Sequence, residues 1–121
     1  MPQEPTSEPI HIIQGAAVIQ VTDIAPTVRF YRDLLGFSCD FQDVKYAVVW
    51  RDNAAVHFRK GPTKSTEVEL FFWVKDADIL HAEFMSKGVP AGEVESQPYG
   101  IRDFSVTDPN GVKIVFGHDL E

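Results

Sequence analysis

The most constraining feature of the sequence is a diverged internal repeat. Residues 18–37 and 69–88 share one layout, in which an apolar strand ends in Val-x-Asp and is followed by a Phe-containing helix and a glycine. The ends of the two halves also match, because residues 53–58 read like residues 110–116. A chain that folds one small unit twice usually builds its site between the two copies, so the repeat indicates where to look for function.

Each half of the chain predicts the element order βαβββ. In the first half, an apolar strand over residues 15–22 precedes a helix over residues 26–35, and three strands follow. In the second half, a strand over residues 67–75 precedes a helix that stops at Gly88, and three short strands follow. This count predicts that one helix covers one face of a four-stranded sheet in each half.

The chain is expected to fold as a single domain over residues 10–121. Residues 1–9 are rich in Pro, Glu and Ser and are expected to form a flexible tail. The predicted fold class is α+β: two βαβββ repeats, over residues 14–60 and 66–118, form a cupped mixed sheet with the helices on its outer face.

Composition excludes several classes of partner. The net charge of −7 argues against binding to nucleic acid, whose binders carry a basic face, and against anionic membrane surfaces. The single cysteine, Cys39, cannot form an internal disulfide, which suits a reducing cytoplasm. We find no signal peptide and no apolar run that reaches the roughly 20 residues needed to span a bilayer.

Alternation along the strands predicts one covered and one open face for each sheet. In the first strand, Ala17, Ile19 and Val21 are expected under the helix. In the fifth strand, Phe71 and Trp73 are expected on the open face. A face that mixes apolar, aromatic and charged side chains is typical of a ligand pocket and not of a core.

Two motifs connect the sequence to a known family. They are Phe30-Tyr-Arg-Asp-Leu-Leu-Gly-Phe37, preceded by Val21-Thr-Asp, and Tyr99-Gly-Ile-Arg-Asp-Phe-Ser-Val-Thr-Asp-Pro-Asn-Gly111. On these motifs the chain resembles the vicinal oxygen chelate superfamily, which includes glyoxalases, extradiol dioxygenases and bleomycin-resistance proteins. The resemblance covers about residues 10–118, and it implies the fold more strongly than the activity, because this fold hosts many chemistries.

The resemblance also implies where a metal would bind. In metal-dependent members, each half supplies two ligands on the concave face, and the matching positions here are Ala16, His57, Glu69 and Val115. Ala16 and Val115 cannot bind a metal through their side chains, and one imidazole with one carboxylate leaves most of the shell to water. The sequence therefore predicts no metal and no cofactor, and it is most similar to the metal-free, bleomycin-resistance-like members.

The leading hypothesis is non-catalytic binding, or sequestration, of a small aromatic and cationic molecule, as in bleomycin-type antibiotic resistance. The pocket is predicted at the interface of a homodimer, since a second chain commonly completes the cup in short members of the family. Glu69 and Asp103 would supply negative charge, and the aromatic side chains would stack on the ligand. The predicted lining is Val18, Gln20, Trp50, His57, Glu69, Phe71, Trp73 and Asp103.

Other functions stay open at this stage. A metal-dependent lyase, isomerase or dioxygenase would need an atypical site that recruits Gln20, Glu67 or Asp103. His57 and Glu69 could instead perform acid–base chemistry without a metal. The pocket could also be vestigial in a subunit that binds a partner protein, and the N-terminal segment over residues 10–16 could be exchanged between subunits.

Overall fold

The structure, a computed structural model, describes residues 11–120, so the tail expected over residues 1–9 lies outside the described residues. Within this range the chain forms two four-stranded mixed sheets and two helices, which confirms the α+β class and the two βαβββ units. Neither helix of the described range is long and apolar enough to cross a membrane.

The first half forms a sheet with the strand order β1-β4-β3-β2. Strand β1 runs parallel to β4, and the other neighbours are antiparallel. Its elements are β1 (Ala16–Val21), α1 (Ile24–Arg29), a π-helical turn (Phe30–Leu34), β2 (Ser38–Gln42), β3 (Tyr46–Arg51) and β4 (Ala54–Lys60).

The second half repeats this topology with the strand order β5-β8-β7-β6. Strand β5 runs parallel to β8, as β1 does to β4, and Phe71 faces Val115 where Val18 faces His57 in the first half. The elements are β5 (Glu69–Trp73), α2 (Ala77–Ser86), β6 (Glu95–Ser96), β7 (Ile101–Thr107) and β8 (Lys113–Asp119).

The first helix differs from the regular helix predicted over residues 26–35. It begins at Ile24, so Pro26 is its third residue. Pro26 has no backbone N–H, but this is tolerated because the N–H groups in the first turn of a helix have no intrahelical acceptor. It then widens into the π-helical turn, in which the Leu35 N–H reaches the Phe30 carbonyl at 3.3 Å. Gly36, with φ of +76°, ends the helix as predicted, since a left-handed residue is favoured there.

One hydrophobic core joins the two halves. The helix residues that recur at helical spacing are all buried, namely Ile24, Val28, Tyr31 and Leu35. In β1, Ile19 and Val21 are buried as predicted. Ala17 was predicted to be buried as well but is exposed, because the strand only begins at Ala16 and its first residues extend past the helix. Phe37 of the first half packs against Phe72 of the second, with ring centroids 6.2 Å apart.

A buried polar cluster, which we call the clasp, ties α1 to the turn between β7 and β8. The Tyr31 hydroxyl donates to Asp108 Oδ2 at 2.8 Å, and Asp108 Oδ1 accepts the backbone N–H groups of Asn110 and Val112 at 2.8 and 2.9 Å. The Asn110 amide donates to Thr27 Oγ1 at 2.8 Å. Burial first, and the Asp108 carboxylate second, raise the pKa of Tyr31 well above 10.0, so the phenol stays protonated.

An ion pair forms a second link between the halves. Arg51 at the end of β3 donates to both carboxylate oxygens of Glu83 on α2, at 2.8 and 3.0 Å, and also to the Leu35 carbonyl at 2.7 Å. The hydrogen bonds from Arg51 lower the pKa of Glu83, which is opposed in part by desolvation. The side chains are about one-third exposed, so this pair lies at the border of the core.

The linker between the halves folds back over the outer edge of β1. Ser65 N–H donates to the Gln20 carbonyl at 2.9 Å, and the Gln20 N–H donates to Ser65 Oγ at 3.0 Å. The Gln20 amide also donates to the Thr63 carbonyl at 2.6 Å. Gly61 makes this close approach possible, because a Cβ there would collide with the Gln20 side chain.

Candidate ligand-binding site

Each sheet has one face against the core and one face open to solvent. In the first sheet, Val18 and Trp50 lie on the open face and are 53% and 41% exposed. In the second sheet, Phe71 and Trp73 are similarly exposed, and their rings pack edge to face with centroids 4.8 Å apart. Large apolar side chains exposed on two sheet faces indicate surfaces that bind something.

The open face of the second sheet forms a concavity of about 320 Å³. Four carboxylates, a single lysine and three aromatic side chains line it, so the concavity is strongly acidic. The lysine, Lys113, lies 3.8 Å from Glu69 in a solvent-exposed pair that neutralises one charge. The lining residues are Glu69, Phe71, Glu93, Glu95, Gln97, Tyr99, Asp103, Phe104, Ser105, Lys113 and Val115.

Asp103 is the most enclosed of these carboxylates, since it is only 9% exposed. It lies on β7 next to Phe104, and its Oδ1 accepts a hydrogen bond from the Gln97 side-chain amide at 3.0 Å. Its Oδ2 accepts from the Tyr99 hydroxyl at 3.4 Å. No Lys, Arg or His within residues 11–120 forms an ion pair with it. Asp103 is therefore a buried carboxylate that is held by hydrogen bonds and has no cationic partner among the described residues.

Tyr99 lines the concavity from the loop between β6 and β7. The residue is 66% exposed, and Gly100, with φ of +86°, allows the chain to turn directly after it. Desolvation, followed by the negative charges of Asp103 and Glu69, raises the pKa of the Tyr99 phenol. The phenol is therefore a hydrogen-bond donor to Asp103 at neutral pH.

The open face of the first sheet carries different chemistry. The Tyr46 hydroxyl and His57 Nδ1 lie 2.7 Å apart, so the imidazole is already hydrogen-bonded through one nitrogen. Arg59 follows on the same face of β4, and its Nη2 donates to Gln20 Oε1 at 3.3 Å. This face therefore combines apolar side chains with a guanidinium, whereas the second face combines aromatic side chains with carboxylates.

The predicted lining divides evenly between the two faces. Val18, Gln20, Trp50 and His57 lie on the first sheet, and Glu69, Phe71, Trp73 and Asp103 lie on the second. Of these eight, only Glu69, Phe71 and Asp103 line the concavity, and every described residue that lines it comes from the second half.

Sequence reasoning missed several residues of the concavity. Glu95 pairs with Asp103 across β6 and β7, so strand alternation could have placed its side chain beside that of Asp103. Gln97 and Glu93 lie outside regular strands, where no periodicity indicates the direction of a side chain. Their roles depend on the loop conformation, which composition alone does not reveal.

The residues present do not fit a family-type metal site. At the four positions, Ala16 and Val115 offer no donor, which leaves one imidazole, His57 on the first sheet, and one carboxylate, Glu69 on the second. Within residues 11–120, no three His, Cys, Asp or Glu side chains are grouped so that they could hold a metal ion. Of the substitutes, Gln20 uses its amide on Thr63 and Arg59 and is therefore already occupied.

Comparison with known proteins agrees with this architecture. The model of the Glyoxalase/Bleomycin resistance protein/Dioxygenase superfamily matches residues 11–116. The chain belongs to this superfamily. A search of curated proteins found no match.

Solved structures of superfamily-like proteins share the fold. The bleomycin-binding protein from bleomycin-producing Streptomyces verticillus, complexed with copper(II)-bleomycin, is 28% identical with a TM-score of 0.75, over 88% of this chain and 96% of that one. A glyoxalase / bleomycin resistance protein from Catenulispora acidiphila DSM 44928 is 25% identical with a TM-score of 0.73, over 88% and 98% of the chains. The bleomycin resistance determinant encoded on transposon Tn5 is 19% identical with a TM-score of 0.78, over 88% and 97%, and shows the fold alone.

Proposed function

We propose that the protein binds a small aromatic cation and sequesters it without chemical conversion. The observation that carries this proposal is the acidic concavity on the second sheet, where four carboxylates and one lysine surround Phe71 and Tyr99. A cationic group would pair with the carboxylates, and a flat ring would stack on the aromatic side chains. The volume of about 320 Å³ is at the lower end of the range for small-molecule pockets.

Similarity to bleomycin-binding proteins supports the same proposal. The Streptomyces verticillus protein is 28% identical and was solved with copper(II)-bleomycin bound. Bleomycin is therefore the first ligand to test here, and a role in antibiotic resistance is part of the proposal. The missing donors at Ala16 and Val115 favour binding over metal-dependent chemistry.

The proposed pocket is completed by a second copy of the chain. The concavity uses one sheet only, while Val18 and Trp50 leave apolar surface exposed on the other. The guanidinium of Arg59 on the first face complements the carboxylates on the second. In a homodimer, the first sheet of one copy would therefore close the concavity of the other and exclude water from the ligand.

Tryptophan fluorescence provides the test of binding, because Trp50 lies on the open face of the first sheet and Trp73 on the open face of the second. Bleomycin and benzamidine, an aromatic cation, should change the emission, whereas benzamide, its neutral isostere, should bind at least about 10-fold more weakly. Asp103→Asn should lower the affinity for benzamidine, and Met85→Ala, on the exposed surface of α2, should not. Equal affinity for benzamidine and benzamide would contradict the proposed selection of cations.

Two matched variants test the second copy. Val18→Asp places a charge in the proposed interface, so it should prevent self-association and weaken ligand binding. Sedimentation equilibrium measures the self-association. Ile79→Asp is the control, since Ile79 is even more exposed but lies on α2. A monomeric protein that binds ligand with full affinity would contradict completion by a second copy while leaving binding intact.

The proposed compartment is a reducing cytoplasm. Cys39 is half-buried, and its thiol donates to the Phe41 carbonyl at 3.4 Å. A lone cysteine with a local hydrogen bond needs no oxidation for the fold to form.

A further inference from the structure

The Tyr99–Asp103 hydrogen bond has an unusual position for a structural contact. It joins Asp103, which is only 9% exposed, to Tyr99, which is 66% exposed, and both residues line the concavity. Its length of 3.4 Å is well beyond the usual 2.5–3.0 Å for a bond between two oxygen atoms. A bond of this length contributes little to the fold, yet it occupies the acceptor that a bound cation would use.

From this geometry we infer that the Tyr99 hydroxyl is a placeholder, which hydrogen-bonds to Asp103 until a ligand N–H replaces it and leaves the Tyr99 ring free to stack on the ligand. The inference rests on the proposed function and names the residues that determine its selectivity. Gln97 keeps its shorter bond to the other carboxylate oxygen, so Asp103 remains oriented during the exchange.

Competition of this kind has a measurable consequence. A ligand that donates a hydrogen bond to Asp103 must first break the Tyr99–Asp103 bond, so removal of the hydroxyl should raise its affinity. A cation without a donor does not compete for the same lone pair, and its affinity should stay unchanged. The ring should help both ligands, because stacking does not require the hydroxyl.

The experiment compares benzamidine with N-methylpyridinium, two aromatic cations that differ in having N–H donors. Isothermal titration of the full chain should show that Tyr99→Phe binds benzamidine about two-fold more tightly than wild type, because the bond that it removes is long and weak. Its affinity for N-methylpyridinium should equal that of wild type. Tyr99→Ala should weaken the binding of both, by about five-fold or more, because it removes the ring.

Controls separate this inference from the proposed function. Because Tyr99 is exposed, both variants should unfold at the wild-type temperature, and Ile79→Ala, which truncates another exposed apolar side chain, should bind like wild type. Weaker or unchanged benzamidine binding by Tyr99→Phe would overturn the placeholder role and leave the proposed function intact. Failure of the wild-type protein to bind benzamidine, N-methylpyridinium and bleomycin would contradict both.

Discussion

The molecule contains two tyrosine–aspartate hydrogen bonds that differ in almost every respect. In the clasp, Tyr31 is fully buried and lies 2.8 Å from Asp108. At the concavity, Tyr99 is largely exposed and lies 3.4 Å from Asp103. Asp108 also accepts two backbone N–H groups, whereas Asp103 accepts a single side-chain amide.

The surroundings of a tyrosine–aspartate pair, and not its residue types, decide whether the pair stabilises the fold or is available to a ligand. A carboxylate enclosed with three good donors has all its desolvation compensated and contributes to stability, but it is unavailable to a ligand. A carboxylate at the floor of an open concavity, held by one good donor and one long one, contributes little to stability and remains available. The clasp therefore belongs to the fold, and Asp103 belongs to the proposed site.

The largest effect is expected from removing the carboxylate of the clasp. Asp108→Ala leaves the Tyr31 hydroxyl and two backbone N–H groups unpaired in the core, so the free energy of unfolding should fall by about 3–5 kcal/mol. Urea denaturation followed by circular dichroism measures this loss. A decrease below about 1 kcal/mol would show that the clasp is not a structural element.

A smaller effect is expected from Tyr31→Phe, which removes one donor and leaves Asp108 with the two backbone groups. The free energy of unfolding should fall by about 1–3 kcal/mol. Because folding raises the pKa of Tyr31, the stabilising contribution should be complete below pH 10.0 and be lost as the pH rises through the folded-state pKa. The gap between wild type and Tyr31→Phe in thermal unfolding should therefore be constant up to about pH 10 and narrow above it.

The half-buried pair of Arg51 and Glu83 is intermediate between the clasp and the concavity, because the Glu83 carboxylate is paired with a cation and is also partly solvated. Glu83→Gln should lower the free energy of unfolding by about 0.5–1 kcal/mol at pH 7, after allowance for solvent screening. Because the folded-state pKa is lowered, this contribution is present above the ordinary value of 4.5 and is lost as the pH falls through the lowered pKa. Urea denaturation between pH 7 and pH 3 should show the gap closing, and a gap that is unchanged at pH 3 would exclude the charge as its cause.

The smallest effect on stability is expected at the concavity. Asp103→Asn and Tyr99→Phe should each change the free energy of unfolding by less than about 0.5 kcal/mol, because the amide oxygen can still accept from Gln97 and the phenol is exposed. Differential scanning calorimetry checks this. If Asp103→Asn destabilised the protein as strongly as Asp108→Ala, both carboxylates would be structural, and Asp103 would not differ from Asp108 in its contribution to stability.

Much of the fold could be predicted because it follows from local periodicity. Asp103, predicted on the open face, lines the concavity with Ser105, while Phe104 and Val106, which alternate with them along β7, belong to the core. The repeat also predicted the equivalent topology of the two sheets, since the same pattern of elements must solve the same packing problem twice.

Other features could not be predicted from the sequence, because they depend on contacts between distant residues. Tyr31 and Asp108 are 77 residues apart, and no pattern within either motif indicates that they meet. The π-helical turn after Arg29 could not be predicted either, because the spacing of apolar residues does not distinguish one π-turn from an α-helical turn. For the site, strand alternation predicts that a side chain lies on the open face of its sheet. It does not predict which other surface packs against that face. The roles of Trp50 and His57 in binding therefore stay predictions.

The linker that covers β1 has a consequence for assembly. An outer strand normally presents unpaired N–H and C=O groups that can recruit a strand from another molecule and begin aggregation. Here Ser65 occupies both backbone groups that Gln20 presents at the outer edge of β1, so Gln20 cannot pair with a strand from another molecule. The connection between the halves thus also blocks strand addition at one end of β1, while the open faces of the sheets stay exposed to solvent.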